Sequence, residues 1–409
     1  MQSTTAVQPE AVQFARLLEL LSRWREIPLY RSRAPMGENA RNHFSKLPFV
    51  TKSEMRERFP HNFLRPGQNL ETLLDQNLVE VEHTSGTSED RTGVLLERGW
   101  WELQERRALR LNSRVAEVFD RDPNPRRATL TTPACNGMAC PSRWLTRSQR
   151  TSGTTLSVNQ SRIPFLLSDA ELGRMAAEVA EWSPAFLDLD PVHGAWFALA
   201  CERRSLQFPS LQFVLCSYEF VSIVHRRIIE RAFGVPVFNL YGSTETGHLL
   251  MEGEDVALKP SDETAFLEVV DVDERGVGDL VVTTLTNDYM PLVRYHIGDL
   301  VERKADGYVV HGRKRDALPT ASGHRVTTWQ VDQCFADIPG IAHYQLRKAA
   351  NGHYQLRFVR EGSGPAAAEL RQLICRLEET LQAPGKITSE AVDVLVPSPS
   401  GKFRLTFAE

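Results

Sequence analysis

The sequence predicts an α/β protein, with a large multi-sheet N-terminal part and a small α+β part at the C-terminus. Three observations lead there. At 409 residues the chain exceeds what one ordinary core holds, so two domains are expected. Helical and strand patterns are mixed between residues 168 and 240, then give way to antiparallel strand patterns as far as Val310. Beyond Asp316 a hairpin, an amphipathic helix and a further strand form a group of their own. The expected domains are residues 1–315 and 316–409.

In order along the chain, residues 9–26 carry Val12, Leu17, Leu18, Leu21 and Trp24 on one helical side. Five prolines break residues 28–70 into loop with short helices. Residues 81–93 read as a Ser/Thr/Gly loop, 100–118 as one helix and 128–132 as a short strand. Ser168-Asp-Ala-Glu171 is a capping box that opens a helix running through Trp182. Residues 194–201 and 211–215 read as buried strands, 222–233 as a helix stopped by Gly234, and 235–240 as a strand. Strands follow at 265–270 and 279–284, with Gly276 and Gly278 in the turn before the second. A charged hairpin spans Val301 to Val310. Asn351-Gly352 marks a second hairpin within 341–360. Residues 365–381 read as a helix and 391–396 as a strand, ahead of a Pro/Ser/Gly segment that carries Lys402.

Composition narrows the function classes. The chain is 42% hydrophobic and 24% charged, as soluble globular proteins are. A formal charge of −4 argues against a general nucleic-acid binder. No apolar run reaches the length of a membrane span, and no basic-then-apolar leader opens the sequence, so a cytoplasmic location and no membrane partner are expected. Six cysteines form no Cys-x-x-Cys pair; Cys135 and Cys140 are loop thiols or half of a zinc site lacking its second pair.

Three stretches carry chemistry. In residues 84–93, Thr84, Ser85, Thr87 and Ser88 supply hydroxyls while Gly86 lets backbone approach a ligand, which suits a phosphate cradle or an ordinary loop. It is not a Walker loop, because no Gly-Lys-Ser/Thr follows. The strand 235–240 runs into Tyr241-Gly242-Ser243-Thr244-Glu245-Thr246-Gly247. There Tyr241 could stack on a base, Thr244 meet a phosphate oxygen and Glu245 hold magnesium, unless this is a solvated turn. Gly298-Asp299 places a carboxylate at a tight backbone turn, fit for a ribose diol or for capping the turn itself. Arg313 is a fixed-charge fork suited to phosphate or ribose oxygens.

Taken in order with Lys402, these stretches resemble the adenylate-forming superfamily of acyl-CoA synthetases, peptide-synthetase adenylation domains and luciferases. The form of the Thr-Ser-Gly-Thr loop and the short C-terminal part look most like the phenylacetate-CoA ligase branch. The resemblance implies a small domain that turns on a hinge at Asp316 over ATP, Mg²⁺ and a carboxylic acid. It implies residues 84–88 at the phosphates, Tyr241 at adenine, Thr244 at the α-phosphate and Glu245 on magnesium, in the Tyr241-Gly242-Ser243 motif. Asp299 would hold the ribose hydroxyls, Arg313 would lie near ribose and phosphates, and Lys402 would bridge carboxylate and α-phosphate. Glu219 is what remains of a Gly-Gly-Glu or Gly-Ala-Glu segment, reading Cys216-Ser217-Tyr218-Glu219 here. The acid pocket would draw on Cys135, Tyr218, Phe220, Gly247 and His248. His248 stands without the cysteines that hold zinc in some relatives, so no structural zinc is expected.

The implied activity is activation of an acid, aryl or heteroaryl by analogy, as an acyl-adenylate. Transfer to a thiol follows, that of CoA or of the phosphopantetheine of an acyl carrier protein, in a monomer or homodimer. Two rivals stand: a ligase that transfers to an amine, and a catalytically silent nucleotide-binding homologue. Glu89-Asp90-Arg91 departs from the family's phosphate loop, and residues 318–323 depart from the segment that serves thioester formation.

Overall fold

The computed structural model describes residues 11–31, 33, 44–84, 91–131, 145–320, 322–398 and 401–409. Packing divides the chain into two units, each discontinuous in sequence: residues 1–112 with 240–310, and residues 113–239 with 311–409. Among the described residues no helix is long and apolar enough to cross a membrane.

The first unit is largely antiparallel. Ala265–Val270 pairs with Val277–Thr284, and that strand with Tyr295–Lys304. Leu258–Pro260 joins Gly247–Glu252, which pairs with residues 240–243 of the strand Val237–Ser243. The helix Ala11–Trp24 supplies Leu17, Leu21 and Trp24 to a core that also takes Leu95, Leu250, Val282 and Tyr295. The helix residues recur at helical spacing and so present a single apolar face, whereas Gly93–Glu97 buries Val94, Leu95 and Leu96 in succession and Val277–Thr284 is buried along its whole length.

The second unit carries parallel strands and a smaller mixed sheet. Phe213–Cys216 lies between Phe186–Leu189 and residues 237–239 of Val237–Ser243, all parallel, and Arg127–Leu130 continues beyond Phe186–Leu189. Helices Asp169–Trp182, Pro191–Arg203 and Ile223–Phe233 cover them. In the C-terminal part the strand order is Ile387–Val392, Tyr354–Arg360, Ile341–Lys348, Thr406–Ala408, with the helix Ala367–Leu381. The hairpin turn holds Gly352 at φ +79°, a left-handed position that glycine occupies without strain. One continuous core joins this part to the rest of the unit: Val224, Ile228 and Ile229 share it with Val331, Phe335, Ile338 and Tyr344.

The α/β class holds, and several elements differ from expectation. Residues 194–201 are helix, inside Pro191–Arg203, and not a strand. All but three of that helix's residues are buried, so it carries no polar stripe to betray its period. Its start was nevertheless written as Asp190-Pro191, an N-cap followed by proline at the first helical position. Residues 100–118 form two helices, Trp100–Leu109 and Ser113–Arg121, parted where Asn112 donates to the carbonyl of Glu252 at 2.9 Å. The strand placed at 391–396 lies earlier, at Ile387–Val392, and Gly278 stands inside a strand rather than in the turn. The strands Val79–His83 and Gly93–Glu97 flank the Ser/Thr/Gly loop as a hairpin, and Phe186–Leu189 and Thr406–Ala408 are further strands the patterns did not announce.

Candidate active site

In the first unit the residues of the Tyr-Gly motif close a tight hairpin. Tyr241, Gly242 and Ser243 end one strand, residues 244–246 turn, and Gly247 begins the next. A Cβ on Gly242 would stand 2.2 Å from the Gly247 carbonyl, and Gly247 itself has φ +72°, so both positions demand glycine. The Tyr241 hydroxyl donates to Asp299 Oδ2 at 2.6 Å, joining two stretches that are 58 residues apart.

Asp299 is not at a turn. It stands in the strand Tyr295–Lys304, only 5% exposed. Opposite it the register steps from Val281↔His296 to Asp279↔Leu300, two residues against four, so Gly298-Asp299 lies in a bulge with Gly298 at φ +88°. A bulge re-aims a side chain out of the regular alternation, and here the re-aimed carboxylate meets Tyr241.

Glu245 is buried, and its contacts are long. The Tyr295 hydroxyl donates to Oε1 at 3.4 Å, and the Lys52 ammonium lies 3.6 Å from the same oxygen. Thr244 and Ser243 are half-buried, and His248 is buried with its ring 4.9 Å from that of Trp101. Thr84 and Thr92 close the foot of the hairpin that carries the Ser/Thr/Gly loop: the Thr84 N–H donates to the Thr92 carbonyl and the Thr92 N–H to Thr84 Oγ1, each at 3.0 Å. Ser85, Gly86, Thr87 and Ser88, and also Cys135, lie outside the described residues.

In the second unit the residues gather around Lys402. Its ammonium donates to the Tyr218 carbonyl at 2.9 Å, while the next N–H, that of Phe403, donates to both oxygens of Glu219 at 3.0 and 3.1 Å. Tyr218 sits at φ +74°, a left-handed conformation that costs a non-glycine residue of order 1–3 kcal/mol. Its hydroxyl donates to Asp188 Oδ2 at 2.9 Å, and Ser217 Oγ donates to Asp188 Oδ1 at 2.7 Å, so two side chains hold the strained turn. Phe220 packs on the core, and Arg313 is half-buried at the entry to a short 3₁₀ turn, Lys314–Asp316.

Asp316, expected as an unpatterned hinge, is buried and bonded. Arg404 donates to its Oδ1 through Nε at 2.8 Å and Nη2 at 2.5 Å. Burial raises its carboxyl above the ordinary value, and the Arg404 charge opposes that shift.

Sequence reasoning missed Asp188, Asp190, Asn159 and His193. Asp190 caps the helix Pro191–Arg203, accepting the N–H groups of Val192 and His193 at 2.9 and 3.2 Å. Burial pushes its carboxyl up to about 6; the two N–H bonds and the positive charge of Lys402 hold it from going higher. Burial takes His193 the other way, down to about 3. The signal for this pair was the Leu-Asp-Leu-Asp-Pro run, where two carboxylates close a strand.

No protein-family model matches the chain. Over 196 residues it is 28% identical to a phenylacetate-coenzyme A ligase of Thermus thermophilus, a match covering 42% of this chain and 44% of that protein. The chain thus spans less than half the length of that curated relative. The solved structure of a 2-hydroxyisobutyryl-CoA ligase, in the postadenylation state with an acyl-AMP, superimposes with a TM-score of 0.71 at 16% identity, over 97% of this chain and 89% of that one. The fold is that of the adenylate-forming ligases. An anthranilate CoA ligase with anthranoyl-AMP shares the adenylate-forming fold at a TM-score of 0.55 and 15% identity, over 80% of this chain and 64% of that one.

Proposed function

We propose that the chain activates a small carboxylic acid with ATP, releases pyrophosphate, and passes the acyl group from the adenylate to the thiol of CoA. An aryl or heteroaryl acid is the favoured substrate, and a carrier-protein phosphopantetheine is the second candidate acceptor. The observation that carries this reading is the 2.6 Å bond from Tyr241 to Asp299. It weighs against a turn-capping aspartate, because a bulge and a partner on another strand both serve to aim this carboxylate. An aimed carboxylate is what a ribose diol requires.

The residues fit the absent groups. Glu245 offers magnesium a hard oxygen whose contacts, 3.4 and 3.6 Å, exceed ordinary hydrogen-bond length. Magnesium, when bound, would offset phosphate charge. Around it Thr244 and residues 84–88 would meet phosphate oxygens, Tyr241 would lie against adenine, Asp299 would hold the ribose and Arg313 would lie near ribose and phosphates. Lys402 would leave the Tyr218 carbonyl for the oxygens of carboxylate and α-phosphate, where an ammonium lowers the repulsion between two anions. Glu219 would keep the Lys402 segment in place through the Phe403 N–H. Residues 316–409 would act as a domain that changes orientation about Asp316 between the two half-reactions.

The test is ATP–pyrophosphate exchange across a panel of aryl, fatty and amino acids, with CoA thioester formation measured for any acid that supports exchange. Acid-dependent exchange is the expected result. Its absence with every class, by folded protein that binds ATP, would leave a silent nucleotide-binding homologue.

A further inference from the structure

Asn159 is fully buried and tied to the backbone of Thr131 at both ends of its amide. Its Oδ1 accepts the Thr131 N–H at 2.9 Å, and its Nδ2 donates to the Thr131 carbonyl. Reversing the amide would set carbonyl against carbonyl and NH₂ against N–H, so its orientation is fixed. The atom facing His193 Nδ1, at 3.3 Å, is therefore Nδ2. An amide nitrogen only donates. His193 Nδ1 must accept, and the single hydrogen of the neutral ring must sit on Nε2.

That hydrogen is buried, and Nε2 has no hydrogen-bond partner among the described residues. A buried donor left unmade costs free energy, so a native structure that keeps one has a use for it. The surroundings say which. His193 follows Asp190 by three residues on the first turn of its helix, and Asp190 feels the charge of Lys402. The His193 ring lies 6.4 Å, edge to face, from that of Phe403, the residue after Lys402.

We propose that Asn159 is a positioning residue that locks His193 in the Nε2–H form, and that this neutral donor binds an oxygen of the acid's carboxylate beside Lys402. The inference rests on the adenylating function proposed above. The division of labour is chemical. Lys402 supplies charge, while His193 supplies a directed hydrogen bond that does not change with pH across the working range, because burial holds its ring neutral down to about 3. An Nδ1–H ring would instead present a lone pair to the carboxylate and repel it.

The test has two arms on the full chain. In ¹⁵N-histidine-labelled protein, long-range ¹H–¹⁵N correlation reads the tautomer, the His193 signals being assigned by their loss in His193→Phe. The expected spectrum is a neutral Nε2–H ring from pH 5 to 8. In Asn159→Asp, where a carboxylate accepts from Nδ1–H, it should change to the other tautomer; Asn159→Ala, which should leave a mixture, replaces it if the charged variant does not fold. In the second arm, ATP–pyrophosphate exchange driven by an accepted acid should fall about 10²-fold in kcat for His193→Phe, with the KM for ATP unchanged. His193→Gln, which keeps an N–H near the same place, should restore most of that loss. An Nδ1–H ring in the parent protein, or exchange unaffected by His193→Phe, overturns the proposal. The spectrum is independent of catalysis, so a chain that adenylates no acid would fail the functional reading while leaving the tautomer assignment standing.

Discussion

Asp332→Ala is a stringent test of how the C-terminal segment is held within its unit. The Asp332 carboxylate is 2% exposed and accepts three bonds: Ser222 Oγ at 2.5 Å, the Ile223 N–H at 2.9 Å and the Tyr344 hydroxyl at 2.7 Å. The first two donors open the helix Ile223–Phe233, so a residue 110 positions later completes its cap. Alanine orphans three buried donors, at about 2 kcal/mol each, or roughly 6 kcal/mol. Burial lifts the Asp332 carboxyl from 3.8 to about 6, and removing a carboxylate that is strained by two pH units at neutrality returns about 3 kcal/mol. The net expectation is a loss of about 3 kcal/mol at pH 7.5.

The sign of the pH dependence follows. A carboxyl whose folded value is raised contributes stability that is fully present below 3.8 and is lost as pH rises through about 6. The gap between parent and variant should therefore be wider at pH 4.5 than at pH 7.5. Urea unfolding followed by tryptophan fluorescence at the two pH values measures it, and taking the difference cancels other titrating groups. A gap that is equal at both, or a cost under about 1 kcal/mol, would refute the account of Asp332 as a buried, three-donor cap.

Lys402→Ala should lower pyrophosphate exchange by about 10²–10³-fold with the unfolding midpoint unchanged, since its one bond among the described residues is to a backbone carbonyl; near-normal exchange would remove it from the mechanism. Asp316→Pro should spare adenylation and cripple acyl transfer, with Asp316→Asn as the control for the lost Arg404 bonds; equal loss of both steps would favour an enzyme of one conformation. The stacked rings of His225 and His343, 5.2 Å apart and joined at 3.0 Å, are both driven down by burial, His225 to about 3. Depressed histidines bind fewer protons folded than unfolded, so stability should fall as pH drops from 6.5 toward 3; in His225→Phe that slope should be shallower by up to about 1.4 kcal/mol per pH unit. An unchanged slope would mean the pair does not titrate on unfolding.

Much of the first-unit site was legible because local chemistry announces it. Tyr241 and Asp299 each stand beside a glycine and Glu245 stands two residues before one, and a glycine pattern survives any uncertainty about tertiary contacts. What local pattern could not supply was the partner: that Tyr241 meets Asp299 depends on a two-residue bulge, which leaves no mark in hydrophobic alternation. The second-unit site was harder. Lys402 and Tyr218, or Phe403 and Glu219, are 184 residues apart, and nothing in either stretch names the other. The helix Pro191–Arg203 was misread as strand because a helix buried on every side has lost the stripe that reveals its period. The hairpin around residues 84–92 was hidden differently: its strands are short, and the Ser/Thr/Gly run between them dominates the composition.

The interleaving of the two units sets the order in which this protein can mature. A growing chain that has reached residue 239 holds the first 112 residues of one unit and residues 113–239 of the other, and neither is complete. The first unit can close only once residue 310 has been made, and the second only near residue 409. Until then the apolar side of the helix Ile223–Phe233, with Val224, Ile228 and Ile229, waits for Val331, Phe335 and Ile338. Such long-range closure slows folding and leaves sticky surface on the ribosome-bound chain. Production of this protein should therefore respond more to chaperone supply and temperature during synthesis than its finished stability would suggest. Cutting the gene at codon 316 would yield a first fragment with that helix face still bare.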